Sequence, residues 1–328
     1  MPEAVEVRKF ADILSSNIVG HKITKINILK GRYTKKPFEG YNDLIKELPL
    51  TVESINTKGK FTYMTLVNGS KGESSHKIFY LFNTLGLSGG WTLKSNDKTN
   101  FAKCNNCNYI KKSSDSIFTY PSLIEYISEE GQNEWFQRAL NHLNVEFITD
   151  RKISFYFYDQ LSFGTLKAID GTNDNSQLEK KLRELGPDLL DSKTTFELFK
   201  TQIRKKVNES KPIGNVIVNQ KIISGVGNYL RADALWMAKI SPFRKVSEIN
   251  DNDLEILYWS LISLIWGDYN YKEAGKKGLI KYKIPHDYKK DFFVYKQEKD
   301  INGNKVHKDE LFEGSQKRFI YWIKEVQK

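Results

Sequence analysis

Across residues 170–177, DGTNDNSQ, the hydrophobic rhythm of the chain changes period, and that change limits the folds open to it. Before this stretch apolar residues alternate with more polar ones. In KISFYFYD, Ile153, Phe155 and Phe157 interleave with Ser154, Tyr156 and Tyr158, the two-residue period of a strand. Segments 21–29, 51–67, 76–85 and 145–148 also read as strands, and Asn68-Gly69 offers a hairpin turn between the second and third of them. After the linker, LEKKLRELG, TFELFKTQIRKKV and DNDLEILYWSLISLIWGDY carry helical spacing. A β-rich domain followed by a helical one is the α+β class, not the alternating α/β class. The tail, with FFVYKQEKDINGNKV, changes again and predicts a small terminal hairpin turning at Asn302-Gly303.

One helix precedes the strands. Val7, Phe10, Ala11 and Leu14 fall at i, i+3, i+4 and i+7 and make one apolar stripe. Glu3 and Glu6 stand in its first turn, where unpaired N–H groups and the helix dipole favour carboxylates. Pro2 is tolerated so early because its missing N–H costs nothing there. Removal of Met1 leaves Pro2 as a free secondary amine. Such an amine titrates near neutrality and is a nucleophile able to attack a sugar carbon without a separate activating base.

The 328 residues suffice for two domains with separate cores, and a content of 39% hydrophobic and 13% aromatic residues predicts a folded globular protein. No apolar run is long enough to span a bilayer and no signal-peptide pattern opens the chain, so an intracellular monomer without a membrane partner is expected. The net charge of +11 favours a polyanionic partner, nucleic acid ahead of a membrane surface. Residues 95–138, rich in Lys, Asn, Asp and Ser with a short helix predicted near 122–127, read as an insertion on a sheet edge. They contain the only two cysteines, Cys104 and Cys107. A tetrahedral zinc site needs four ligands, and even with His76 or His142 no complete set is evident, so no metal is expected.

Residues 210–243, SKPIGNVIVNQKIISGVGNYLRADALWMAKISPF, predict a short helix from Pro212, turns over 219–227, and a second helix capped by Asn228 and ended before Pro242. Gly225 and Gly227 permit tight turns and close backbone approach, and Asn228 with the adjoining N–H groups is arranged to hold an anion such as phosphate.

With MPE at the N-terminus and GVGN at this turn, the chain resembles the formamidopyrimidine-DNA glycosylase and endonuclease VIII (Fpg/Nei) family, whose helix-two-turns-helix motif has this form. NTKGKFTYMTL matches the family strand that carries an essential lysine and places that role on Lys60. TLGLSGGW matches its HLGMSG-like loop, and LGPDLL its domain junction. The resemblance implies a β-sandwich-like N-terminal domain over 1–170, a helix-two-turns-helix domain over 178–290 and a terminal finger over 291–328, with damaged double-stranded DNA crossing between the domains. It implies a base-excision-repair glycosylase with AP lyase activity and no cofactor. Pro2 attacks C1′ of an extruded nucleotide, Glu3 shuttles protons, Glu6 positions chain and solvent, and Lys60 binds a flanking phosphate and assists at the sugar. Asn228, Gly227 and Lys211 are expected at the DNA backbone.

Two departures stand out. The family's zinc-finger ending R-x-x-x-x-C-x-x-C-Q is matched by RFIYWIKEVQ, which puts Ile323 and Val326 at cysteine positions and Arg318 at the finger arginine. A hairpin core of Val294, Tyr295, Ile320, Tyr321 and Trp322 is expected to replace the metal, as in a zincless, Nei-like subgroup that includes enzymes of large DNA viruses. The family's D-P-R-R-F-G loop is here Asp159 to Gly164 with Leu161 and Ser162 in place of both arginines. Phe163 still wedges into the stack and Leu87 fills the void, while discrimination of the opposite base becomes loose. Lys205, Lys206, Lys211, Lys276, Lys277, Lys281 and Lys283 offer compensating charge. Oxidised pyrimidines are the expected substrates; a catalytically weak damage binder of the same family is the alternative, and a generic nucleic-acid-binding protein a more distant one.

Overall fold

Val7, Phe10, Ala11 and Leu14 are all buried on α1 (Ala4–Ile18), so the apolar stripe of the sequence is the packed face of the leading helix. The computed structural model describes residues 2–69, 76–102, 107–113, 116–121, 134, 136–285, 288, 291–313 and 316–328. These divide into two units, Pro2 with residues 6–182 and residues 3–5 with residues 183–328. No helix among the described residues is long and apolar enough to cross a membrane.

The first unit is built on ten antiparallel strands: β1 (Lys22–Ile28), β2 (Leu50–Lys58), β3 (Phe61–Asn68), β4 (Lys77–Thr84), β5 (Gly89–Ser95), β6 (Cys107–Ser113), β7 (Ser116–Pro121), β8 (Leu143–Thr149), β9 (Ile153–Asp159) and β10 (Thr165–Asp170). Their order is β10-β4-β3-β2-β1-β8-β9-β5-β7-β6, and they form the expected β-sandwich. Its centre is Trp91, whose ring lies 5.4–5.9 Å from those of Phe147, Phe155 and Phe157 and whose Nε1 donates to Asn83 Oδ1 at 3.0 Å.

Two expectations for this unit change. Residues 51–67, read as one strand, are a hairpin: Lys58 pairs with Phe61, leaving Gly59-Lys60 as a two-residue turn in which Gly59 takes φ +57°. That is glycine's allowed region, and it moves Lys60 from a strand interior to a hairpin tip. The connection from Asn68 to Lys77 is longer than a two-residue turn. The insertion does lie on a sheet edge as expected, and it adds strands of its own there: β7 pairs with β5 and β6 with β7, making the last two strands of the sheet. The helix predicted near 122–127, and Cys104 of the CxxC, lie outside the described residues.

The first unit also carries α2 (Tyr41–Lys46) and most of α3 (Ser176–Glu184); the second holds α4 (Phe196–Ile203), α5 (Ile213–Val216), α6 (Asn228–Met237), α7 (Asp251–Lys276) and a hairpin of β11 (His307–Glu313) and β12 (Gln316–Trp322). Apart from Asn228, Trp236 and Met237, every residue of α6 is buried, Arg231 and Asp233 included. A helix covered on nearly all sides is a core element, and the charged residues within it must be paired. Asp233 accepts from Tyr288 Oη at 2.5 Å and from the backbone N–H groups of Phe293, Val294 and Tyr295 at 3.2, 2.9 and 3.0 Å.

That arrangement corrects the terminal hairpin. Phe293, Val294 and Tyr295, expected in its first strand, give their N–H groups to Asp233, and the chain turns there, with Gln297 N–H donating to the Val294 carbonyl. The ladder starts at His307. Asn302-Gly303 does turn, gathered by Asp300, whose Oδ1 accepts from the N–H groups of Asn302 and Asn304 at 2.9 and 2.8 Å. The expected packing residues are nonetheless together: Val294, Ile320 and Trp322 are buried in the core of this unit, and the Tyr295 and Tyr321 rings meet at 5.3 Å. Ile323 is fully buried and Gln327 ties its N–H to the Ile240 carbonyl, at 2.7 and 2.9 Å. Hydrocarbon side chains at 323 and 326 do not fit a zinc ion. Among the described residues no cluster of His, Cys, Asp or Glu could hold a metal.

Burial raises the Asp233 carboxyl to about 6 against the pull of its four donors. With the folded value above the ordinary 3.8, this group's contribution to stability is full below about pH 3.8 and lost as pH rises through about 6. Asp233→Asn should remove that slope from a series of urea denaturations between pH 4 and 7. Asp233→Ala should lower stability by about 3 kcal/mol or more, since each stranded buried donor costs about 1–3 kcal/mol.

Candidate active site

The anion at the start of α6 is part of the chain itself. Glu3 is buried, and its carboxylate accepts from the backbone N–H groups of Gly227 at 2.7 Å and Tyr229 at 3.1 Å. The adjoining Ala4 N–H donates to the Gly225 carbonyl at 3.1 Å, so side chain and backbone grip the same turn. Gly227 is the N-cap, and its own side chain being absent, the Glu3 carboxylate takes the place of a capping residue. The expectation that Asn228 caps this helix is therefore corrected. Asn228 is the first helical residue, half-buried, and its Oδ1 accepts from Arg231 Nη2 at 3.3 Å. Two of the N–H groups expected to hold phosphate are committed to Glu3.

The turn is shaped by a residue that pattern reading passed over. Gln220 Nε2 donates to the carbonyls of Val218 and Val226 at 2.8 and 2.9 Å, and its Oε1 accepts from Gly225 N–H at 2.8 Å. Gly225, at φ +99°, occupies a conformation that disfavours a side chain. Tyr229, directly after Asn228, is fully buried; burial first, then the charge of Glu3, pushes its phenol well above its ordinary pKa. The phenol stays neutral at any working pH.

In the first unit Pro2 is half-buried, and Glu6 is buried on α1. Lys60 is half-buried at the tip of the β2–β3 hairpin. A turn residue on a rigid two-strand ladder is well placed to present an ammonium group to a ligand.

The same unit brings together the two loops that carry Leu87, Leu161 and Phe163. Asp159, at the end of β9, accepts from Ser88 Oγ at 2.6 Å and from Gly164 N–H at 2.6 Å, while Leu161 N–H donates to Ser88 Oγ at 2.9 Å. Gly86, at φ +63°, lies so close that a Cβ there would sit 2.6 Å from Phe163 backbone carbon. The loop of Leu87 is thus locked to the loop of Leu161 and Phe163. All three side chains stay exposed, at 45%, 53% and 59%. Large apolar groups that no core covers, on loops held by buried polar contacts, are presented for a partner.

In the second unit Arg318 is half-buried on β12, opposite Leu311. Lys211 is exposed just before α5, its Nζ 3.5 Å from Asn208 Oδ1. Of the compensating lysines, Lys276 is paired with Glu273 at 2.8 Å and Lys281 sits over the Trp259 ring at 3.4 Å. Lys205, Lys206 and Lys283 are exposed.

Comparison with known proteins bears on the whole chain. The formamidopyrimidine-DNA glycosylase N-terminal domain matches residues 1–166, the H2TH domain of the same enzymes residues 185–270, and their C-terminal domain residues 284–328. A formamidopyrimidine-DNA glycosylase of Corynebacterium glutamicum is 24% identical over 261 residues, 78% of this chain and 74% of the relative. An endonuclease 8 of Pectobacterium atrosepticum is 24% identical over 272 residues, 82% and 80% of the two chains. Among solved structures, the Lactococcus lactis Fpg in complex with DNA containing an abasic site has a TM-score of 0.67 at 20% identity over 99% of both chains, a likeness of fold.

Replacing Glu3 separates its capping role from any chemistry. Glu3→Ala leaves the Gly227 and Tyr229 donors without their carboxylate and should cost about 2 kcal/mol in urea denaturation, the upper range of a lost N-cap. Glu3→Gln, which keeps one acceptor, should cost less than about 1 kcal/mol.

Proposed function

The chain belongs to the formamidopyrimidine-DNA glycosylase family, and from that premise we propose that it is a bifunctional DNA glycosylase and AP lyase acting on oxidised bases in double-stranded DNA. The observation that carries the reading is the Glu3 carboxylate, immobilised by two backbone donors one residue after the secondary amine of Pro2. A nucleophile and a fixed proton carrier are thereby joined by a single peptide bond.

In this reading the Pro2 nitrogen forms a bond to C1′ of an extruded nucleotide while the C1′–base bond breaks and the base leaves with a proton. The amine then loses its proton, the C1′–O4′ bond opens, and O4′ takes a proton carried by Glu3. A cationic Schiff base remains. It acidifies the C2′ hydrogens, so loss of one with cleavage of the C3′–O bond is the β-elimination. A second elimination at C5′ is the δ step, and water frees Pro2. Lys60 and Arg318 supply positive charge to phosphates flanking the sugar, and Glu6 holds the N-terminal turn. Asn228 and Lys211 serve the DNA backbone, Gly227 shapes the same turn with its N–H held by Glu3, and Leu87, Leu161 and Phe163 fill the gap left by the base.

The zincless, Nei-like ending favours oxidised pyrimidines, with formamidopyrimidines as further substrates, while Leu161 and Ser162 remove two guanidinium groups that would read the opposite base and grip phosphate, which favours a loose choice of opposite base. The same loss favours the second reading, a member that binds damage but reacts weakly. Borohydride reduction on a duplex with an abasic site decides between them. A covalent adduct that disappears when Pro2 carries an uncleaved N-terminal extension is the expected result; tight binding with no adduct supports the damage binder. In a nicking panel, thymine glycol and dihydrouracil should be cut faster than 8-oxoguanine by about tenfold or more, the discrimination that about 1.4 kcal/mol provides.

A further inference from the structure

Arg32 belongs to no motif in the sequence, yet it reaches the wedge loop across 130 residues of chain. It lies in a one-turn segment, Gly31–Thr34, ahead of α2. Its Nη1 donates to the Ser162 carbonyl at 3.2 Å, and its Nη2 donates to the Gly164 carbonyl and to Tyr33 Oη, the latter at 3.0 Å. Tyr33 Oη in turn accepts from Leu166 N–H at 2.7 Å, so the guanidinium is tied to the start of β10 as well. The two carbonyls it grips flank Phe163 on either side. Ser162 takes φ +57°, a left-handed conformation that non-glycine residues adopt only when their surroundings hold them there.

We propose that Arg32 is the positioning residue of the DNA wedge: its planar guanidinium bridges the carbonyls on both sides of Phe163 and holds the ring outward in the conformation that enters the base stack. The inference rests on the proposed glycosylase reading and adds to it a residue outside the loop. The chain has Leu161 and Ser162 where arginines would rigidify the loop through DNA contacts, and Arg32 supplies the rigidity from the protein side. Planarity matters, since the guanidinium reaches these acceptors through two separate nitrogens, Nη1 and Nη2, a spread that the single nitrogen of an ammonium does not reproduce. Arg32 touches no reacting atom, and its effect is confined to substrates whose base must be displaced from a stacked duplex.

The test compares wild type, Arg32→Ala and Arg32→Lys on two substrates: a duplex bearing dihydrouracil, and a single-stranded oligonucleotide with an abasic site, which needs no wedge. Arg32→Ala should slow base release from the duplex by about tenfold or more, the scale of losing hydrogen bonds to a charged group, and change single-strand nicking by less than about twofold. Arg32→Lys should fall between. A 2-aminopurine placed beside the lesion reports unstacking independently of chemistry, and its fluorescence rise on binding should be weakened in Arg32→Ala. Equal rates of wild type and Arg32→Ala on the duplex, or equal losses on both substrates with the aminopurine signal intact, would overturn the assignment. Failure of the wild type to act on the duplex as well as on the single strand would instead overturn the glycosylase reading, leaving the aminopurine comparison to judge Arg32 alone.

Discussion

The contact on which the reading of this protein turns is an ion at the end of a helix. The start of α6 presents unpaired N–H groups inside a core, where leaving them unmade costs more than any one bond contributes. The chain answers with Glu3, 224 residues away from Gly227 in sequence. The two oxygens of one carboxylate satisfy two donors, and the Ala4 N–H closes onto Gly225 beside them. A local cap would have stabilised α6 equally well. Using the N-terminus instead makes the position of Glu3 a condition of folding the second unit, so this residue of the proposed chemistry cannot drift without cost to the core.

A second constraint of the same kind shapes the wedge. Exposed Leu87, Leu161 and Phe163 would collapse onto the nearest apolar surface if their loops were free to move. They stay outward because the backbone beneath them is committed: Asp159 to Gly164 and Ser88, Ser88 to Leu161, Arg32 to the carbonyls around Phe163. Polar groups buried under the loops thus keep apolar groups above them in water. On the proposed reading that order is reversed only when DNA covers the wedge.

Much of this was legible in the sequence, and what was not has physical causes. The α1 stripe, the shift from strand to helix after residue 170 and the position of α6 follow from periodicity, because each element has one covered face or a clear cap region. The strand pair around Gly59-Lys60 was missed since β-forming residues such as Val52, Ile55, Phe61 and Tyr63 on both sides read as one segment, and the turn shows in the pairing of Lys58 with Phe61 and the positive φ of Gly59. β5 escaped because six of its seven residues are buried, which erases alternation. Asn228 was read as a cap on local grounds, and a cap from the far N-terminus leaves no trace in the neighbouring sequence. Arg32 and Gln220 act through backbone carbonyls and N–H groups, which every residue type possesses, so no pattern of side chains points to their partners.

The C-terminal hairpin shows how a metal-free ending can still be rigid. A bound ion fixes a hairpin by bonding its two strands at one point, whereas here the strands are fixed by where their flanks are buried. Ile320, Trp322 and Ile323 lie in the core of the second unit, and Gln327 closes the end by joining Ile323 N–H to the Ile240 carbonyl. On the other side Asp233 takes three consecutive backbone donors before the ladder begins, so the approach to β11 is set from inside α6. Arg231, two residues earlier on the same helix, donates to the Phe319 carbonyl at 2.8 Å, next to Arg318. The helix whose N-terminus holds Glu3 therefore also sets the strand that carries Arg318. One buried helix thereby orients two of the residues on which the proposed chemistry depends, and its charged side chains are tolerated in the core because Arg231 and Asp233 are hydrogen-bonded there.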